Sequence, residues 1–182
     1  MSRFRTGLLR RLAQGTSGIA ATEFAVALPV LALMYLGSTQ LSDAIGCDRK
    51  VTITARAVAD LISQNAILSH AQVMSILGAS QQIMSPYSSA NSTVTVSELG
   101  TDPNTGVTTV IWSETTAAKA VHKAGDVVTP PSSIATKGSF LIYSEVSYSY
   151  TPWVTFDFMK PMTLTQNVYM VPRIANSVTE TP

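Results

Sequence analysis

The stretch from Gly15 to Gly37, GTSGIAATEFAVALPVLALMYLG, is an apolar run that contains a single acidic residue, Glu23. No acidic residue precedes Glu23, whereas four arginines do: Arg3, Arg5, Arg10 and Arg11. A carboxylate costs about 2.5 kcal/mol or more if it reaches the centre of a bilayer. An acid at this place in an apolar helix therefore indicates a function in which the charge is used.

Length and charge limit what the rest of the chain can be. The 182 residues are enough for one domain and an anchor. Only 13% of them are charged, against roughly 25% in an average soluble domain. The remainder is rich in Ser and Thr, which suits an exported β-rich domain. After Gly18 the chain holds eight basic and eleven acidic residues, so no basic patch for nucleic acid is expected there.

The apolar run is long enough for a membrane span and continues as a helix. Ile19 to Gly37 supplies 19 residues, close to the ~20 that a spanning helix needs. Apolar residues then recur at spacings of three and four, which predicts one helix from Ile19 to about Gln64: Ala44, Cys47, Val51, Ala55, Val58 and Ile62.

These patterns divide the chain into four parts. We assign a basic N-terminal segment to 1–18, a transmembrane helix to 19–40, a helical continuation to 41–66 and a head domain to 67–182. Because the arginines precede the span, the positive-inside rule predicts a cytoplasmic N-terminus and a head outside the inner membrane, in the periplasm.

The sequence around Glu23 resembles the processing site of type IV prepilins. Gly18 matches the last leader residue, Ile19 the new N-terminus, and Glu23 and Phe24 the acidic-aromatic pair that follows. The fuller pattern, which includes Pro29, is similar to the TadE-like pseudopilins of Tad (tight adherence) pilus systems. VSYSYTPW at 146–153 and MVPR at 170–173 resemble the closing strands of that family more loosely.

The resemblance implies a minor pilin or pseudopilin without enzyme activity or cofactor, which initiates or caps a pilus used in surface adherence. Its implied partners are a prepilin peptidase, other minor pilins, the major pilin, the inner-membrane assembly platform and membrane lipid. The peptidase would cut between Gly18 and Ile19, and Glu23 would pair with the Ile19 amine of a neighbouring subunit. Entry into the extracellular fibre and a purely assembly role both stay open. The alternative is an unprocessed, membrane-anchored periplasmic binding or sensor module.

The pattern after the long helix predicts an α+β, pilin-like head. A short helix is expected over Ile67–Met84, with Ser69 as a possible N-cap. The turn sequence TDPNTG at 101–106 predicts a β-hairpin between Ser92–Leu99 and Gly106–Thr115. Further strands are expected at Ser139–Thr151 and Met162–Val171, giving an antiparallel sheet of about four strands. A long connection is expected at 116–138, and a bend at 153–158.

Few residues offer catalytic or metal chemistry. His70 and His122 have no Cys or His partner at zinc-ligand spacing, so we expect them at a helix surface and in a loop. Glu98, Glu114 and Glu145 are expected on a solvated sheet face rather than as a catalytic pair, and no small-molecule substrate is predicted. Cys47, the one cysteine of the sequence, is expected to be buried, with an intermolecular partner as the alternative. An aromatic cluster is expected to pack on the sheet, with a contact surface as the alternative: Tyr143, Tyr148, Tyr150, Trp153, Phe156 and Phe158.

Overall fold

The computed structural model describes residues 17–153 and 160–182. The chain divides into two compact units, Met1–Ser42 and Asp43–Pro182. The predicted leader up to residue 16 lies outside the described residues, as do Phe156 and Phe158.

The predicted long helix is confirmed as α1, Ser17–Ser63. Pro29 lies inside it without ending it. At its far end the backbone N–H of Arg173 donates to the carbonyl of Ser63 at 2.8 Å, which satisfies one of the carbonyls that a helix terminus leaves free. The Arg173 guanidinium also pairs with Asp60 at 2.6 Å.

A short strand follows α1, and the second helix begins three residues later than predicted. Ile67–Ser69 is a strand, β1, and not the first turn of a helix. The helix α2 runs over His70–Gln81 and is followed by a 3-10 turn at Gln82–Met84. Ser69 is its N-cap, as predicted: the Gln72 N–H donates to the Ser69 hydroxyl, and the Ser69 N–H donates to the Gln72 side chain.

The predicted four-stranded antiparallel sheet is confirmed. Its strands are β2 (Ser92–Thr101), β3 (Thr108–Thr115), β4 (Phe140–Tyr150) and β5 (Met162–Met170), in the order β3-β2-β4-β5. A 3-10 turn at Ser89–Asn91 leads into β2. The sequence did not predict a sixth strand, β6 (Thr179–Thr181), which pairs with β1 in parallel.

The main core of the Asp43–Pro182 unit lies between one face of the sheet and the two helices. The predicted apolar positions of α1 from Cys47 to Ile62 are fully buried in it. They pack with α2 and with the inward face of the sheet, whose buried residues are Val94, Val96, Trp112, Ile142, Val146, Tyr148 and Tyr150.

A second, smaller core lies on the opposite face of the sheet. Leu99, Val110, Leu141 and Tyr143 form it, with Val128 and Ile134 of the connection at 116–138 packed against them. The register of β2 and β3 shifts between Glu98 and Leu99. Because a bulge adds one residue to a strand, Val110 and Trp112 belong to opposite cores although they are two residues apart.

Candidate functional site

The apolar half of α1 is exposed over residues 18–35. Every residue from Gly18 to Tyr35 is exposed, including Ile19 and Phe24 at 60% and Val26 at 77%. An 18-residue window of this helix has a mean hydropathy of 1.9 and no buried residue. By length and composition the helix can cross a membrane, which suggests a membrane anchor.

The predicted cleavage site lies in the first described turn of this helix. Gly18 is the second residue of α1, and a Cβ added to it would meet no atom within 4 Å. Gly has a low helix propensity, which weakens the helix beside the Gly18–Ile19 peptide bond.

Glu23 and Ile19 lie on the same face of α1. Residues four apart on a helix are neighbours, about 5–6 Å between their Cβ atoms. Among the residues that the structure describes, the Glu23 carboxylate has no hydrogen-bond or ion-pair partner. The face that carries this acid continues as Val26, Ala27 and Val30, which are exposed and apolar.

Pro29 removes one backbone hydrogen bond from the same helix. A proline inside a helix has no N–H to donate to the residue four before it, so the carbonyl of Ala25 loses its usual partner. In membranes, neighbouring helices can satisfy such a group. Pro29 comes six residues after Glu23, so it faces a different direction from the acid.

Three hydroxyl groups in the first part of α1 are satisfied within the helix itself. The Thr22 hydroxyl donates to the carbonyl of Ile19 at 2.8 Å, and those of Ser38 and Thr39 donate to Tyr35 and Leu36 at 2.9 Å. Such back-bonding removes the cost of placing a hydroxyl in an apolar setting. Thr22, which directly precedes Glu23, is therefore compatible with an apolar environment.

Asp43, the first residue of the second unit, accepts hydrogen bonds from two tyrosine hydroxyls. Tyr150 on β4 donates to one carboxylate oxygen at 2.8 Å, and Tyr87 donates to the other at 3.0 Å. Hydrogen bonds to a carboxylate are stronger than those between neutral groups. Burial, followed by the contact with Asp43, raises the pKa of Tyr87 to about 12, so its hydroxyl stays a donor.

Cys47, one turn after Asp43, is buried, as predicted. Burial and the neighbouring acids Asp43 and Asp48 raise the pKa of its thiol to about 11. Because the thiolate is the reactive form of cysteine, this residue serves as a core residue.

Glu98 contradicts the expectation that the strand acids lie on a solvated face. It is only 2% exposed. Its carboxylate accepts hydrogen bonds from the backbone N–H of Val178 at 2.6 Å and from the indole of Trp112 at 3.0 Å. The same indole donates to the Val178 carbonyl at 2.8 Å. Burial raises the pKa of Glu98 despite these two donors.

The other two strand acids contact histidines. Glu145 lies 3.3 Å from His122, and Glu114 lies 3.1 Å from His70 at the start of α2. His70 is also 3.3 Å from Glu180 on β6. The nearby Glu114 is the main cause of a raised His70 pKa, and burial, followed by Glu114, raises the pKa of Glu180.

The aromatic cluster divides between core and surface. Tyr143, Tyr148 and Tyr150 are buried against the sheet, as predicted, and Tyr143 stacks on Tyr169 with ring centroids 4.7 Å apart. Trp153 is 65% exposed. Sequence reasoning missed Asp43 and Glu180 as contact points; nothing in their local sequence marks them, because their partners are 44 or more residues away.

Residues 18–60 match the model of the TadE-like protein family. The match begins at Gly18 and covers most of α1, so the resemblance read from Gly18, Glu23, Phe24 and Pro29 is confirmed for this segment. TadE-like proteins are structural and not enzymatic, and the match points to a protein associated with a Tad pilus. No curated protein and no solved structure matches the chain significantly.

Proposed function

We propose that this protein is a minor pilin or pseudopilin that takes part in assembling a Tad-type pilus, by initiating or capping the fibre. Residues 1–18 act as a leader, and a prepilin peptidase removes them. Residues 19–40 hold the protein in the inner membrane, with the N-terminus in the cytoplasm and the Asp43–Pro182 unit in the periplasm. The protein then contacts other minor pilins, the major pilin and the assembly platform.

The observation that carries the proposal is Glu23 on an exposed apolar helix. The acid has no partner among the described residues and shares a helix face with Ile19. Hydrolysis of the Gly18–Ile19 peptide bond adds one water and yields a Gly18 carboxylate and an Ile19 α-amine. That amine supplies a positive charge about one helical turn from Glu23 along the helix axis, and pairing between neighbouring subunits that are displaced along this axis lowers the desolvation cost of both groups.

Leader removal also changes the charge of the N-terminal end. The leader contains Arg3, Arg5, Arg10 and Arg11, which hold that end at the cytoplasmic face. Cleavage leaves one positive amine in their place. A helix that carries one amine and one carboxylate on an otherwise apolar surface is suited to side-by-side packing in lipid, where polar contacts select the register.

Cleavage is tested by measuring the mass and N-terminal sequence of the full chain expressed with and without the prepilin peptidase. The expected product begins at Ile19. A β-branched side chain at Gly18 hinders close approach of the enzyme to the backbone, so Gly18→Val blocks the cut. Gly37→Val is the matched control, because Gly37 lies in the same helix and likewise has open space around it. An intact leader on the wild-type chain in the presence of the peptidase contradicts the proposal.

The role of Glu23 is tested by counting pili on cells. Glu23→Ala leaves the Ile19 amine without its partner, so we expect few or no pili while the protein is still made and inserted. Thr22→Ala is the control, since the Thr22 hydroxyl, among the residues that the structure describes, bonds only within its own helix. Normal piliation of the Glu23→Ala strain rules out the ionic pairing. An unprocessed wild-type protein in piliated cells favours the anchored binding or sensor module instead.

A further inference from the structure

We propose that His70, Glu114 and Glu180 form a binding site for a divalent transition-metal ion such as Zn²⁺ in the Asp43–Pro182 unit. The three side chains come from α2, β3 and β6. One ligand atom from each lies within 4.8 Å of the others. This site is independent of the proposed processing and pairing at the other unit.

The distances between the candidate ligand atoms suit one metal ion. His70 Nδ1 lies 3.1 Å from Glu114 Oε1 and 3.3 Å from Glu180 Oε1. Zinc ligands about 2.0–2.2 Å from the ion are roughly 3.3–3.6 Å apart in a tetrahedron. Small side-chain adjustments therefore place an ion between the three atoms.

The donor set selects the class of ion. Imidazole nitrogen is a ligand for zinc, copper, iron and nickel, whereas Mg²⁺ and Ca²⁺ prefer oxygen ligands alone. Two carboxylates and one neutral imidazole give the site a charge of −2, which a divalent cation neutralises. In the described part of the chain, no lysine or arginine pairs with either glutamate. A single His70 proton shared by two carboxylates balances only part of their charge.

The backbone holds the ligands in place before an ion binds. The capping box of Ser69 and Gln72 fixes the first turn of α2, where His70 lies. Glu180 is opposite Leu68 in the β1–β6 pair, and Glu114 is opposite Val96 in the main sheet. Ligands on regular elements are held more accurately than ligands on loops. The His70 side chain is 54% exposed, which leaves room for water as a further ligand and for entry of the ion.

Zinc binding is measured by calorimetry and by thermal unfolding of the full, chelator-treated chain in detergent at pH 7. We expect saturable binding of one Zn²⁺ per chain and a higher unfolding temperature, with no such shift from the same concentration of Mg²⁺. Because even partners outside the metal's own ligands change affinity by about 10–100-fold, we expect His70→Ala and Glu180→Gln each to weaken binding by about 100-fold or more.

His122→Ala is the matched control, because His122 faces one carboxylate, Glu145, at the same 3.3 Å. It is expected to bind zinc as the wild type does. Circular dichroism of the metal-free variants checks their folds, and Glu180→Gln serves as the test if His70→Ala does not fold. Absence of saturable zinc binding by the wild type overturns the proposal. Equal loss in the His122 variant, or unchanged affinity in the His70 and Glu180 variants, also overturns it.

Discussion

At the scale of single residues, the most unusual group in the head unit is the buried carboxyl of Glu98. An acid without a cationic partner usually avoids the interior of a protein, because burial disfavours its charged form. Here it fastens the segment before β6 to the sheet, since it accepts the Val178 N–H and the Trp112 indole. Burial outweighs these donors, so the pKa of Glu98 is raised.

This raised pKa predicts a pH dependence of stability. The folded state holds the Glu98 proton more tightly than the unfolded state, in which the pKa of this side chain is about 4.5. The contribution of Glu98 to the free energy of unfolding is therefore fully present below that pH. It declines as the pH rises from there through the folded-state pKa, and is constant above it.

Urea unfolding of the wild type and Glu98→Gln at a series of pH values measures this contribution. Glutamine has no proton to lose, so the stability difference between the two chains is expected to shift in favour of the variant as the pH rises above 4.5. A difference that shifts in favour of the wild type would show that the two donors outweigh burial. Taking the difference removes the other titrating groups, such as His70 and Glu180.

At the scale of elements, those with a local sequence signal were predicted correctly, whereas the pairing of two distant short strands was not. The hairpin at 92–115 and the strand at 139–151 have alternating patterns and a turn sequence with a clear mechanism, and both are confirmed. The start of α2 was placed too early because Ile67 fits the helical spacing of Ala71 and Met74. Ile67 lies in β1 instead, because β6, more than 100 residues later, pairs with that strand. No local pattern marks a three-residue strand whose partner is that far away.

Ser69 lies where that strand becomes α2, so its substitution tests the element. Ser69→Ala removes the hydroxyl that accepts the Gln72 N–H and dismantles the capping box. We expect a loss of about 1 kcal/mol in the free energy of unfolding, measured by urea unfolding. Ser88→Ala is the control, because Ser88 precedes a 3-10 turn and makes no capping bond with its side chain. Equal losses in the two variants would contradict the assigned role of Ser69.

At the scale of the whole molecule, one continuous helix serves two different environments. Over residues 18–35 its surface is apolar and exposed on all sides. The lone acid and the proline made this segment recognisable from sequence. Its second part, from Asp43 onward, belongs to the head unit. The three-and-four spacing identified its buried face. The tyrosine contacts of Asp43 and the interior place of Glu98 could not be predicted, because the fold brings their partners from other elements.

Because only the part of α1 from Asp43 onward belongs to the head unit, the chain can be shortened from the N-terminus to that residue. A fragment that begins at Asp43 keeps the face from Cys47 to Ile62 that completes the main core. It also loses the exposed apolar run. We expect this fragment to dissolve without detergent and to unfold cooperatively in urea.

A fragment that begins at Gln64 leaves one face of the sheet uncovered on the α1 side, and burial of apolar surface is the main force that stabilises a fold. We therefore expect it to aggregate or to lack a cooperative transition. Cooperative unfolding of the Gln64 fragment with the stability of the longer one would show that α1 is only an anchor, and not part of the head's core.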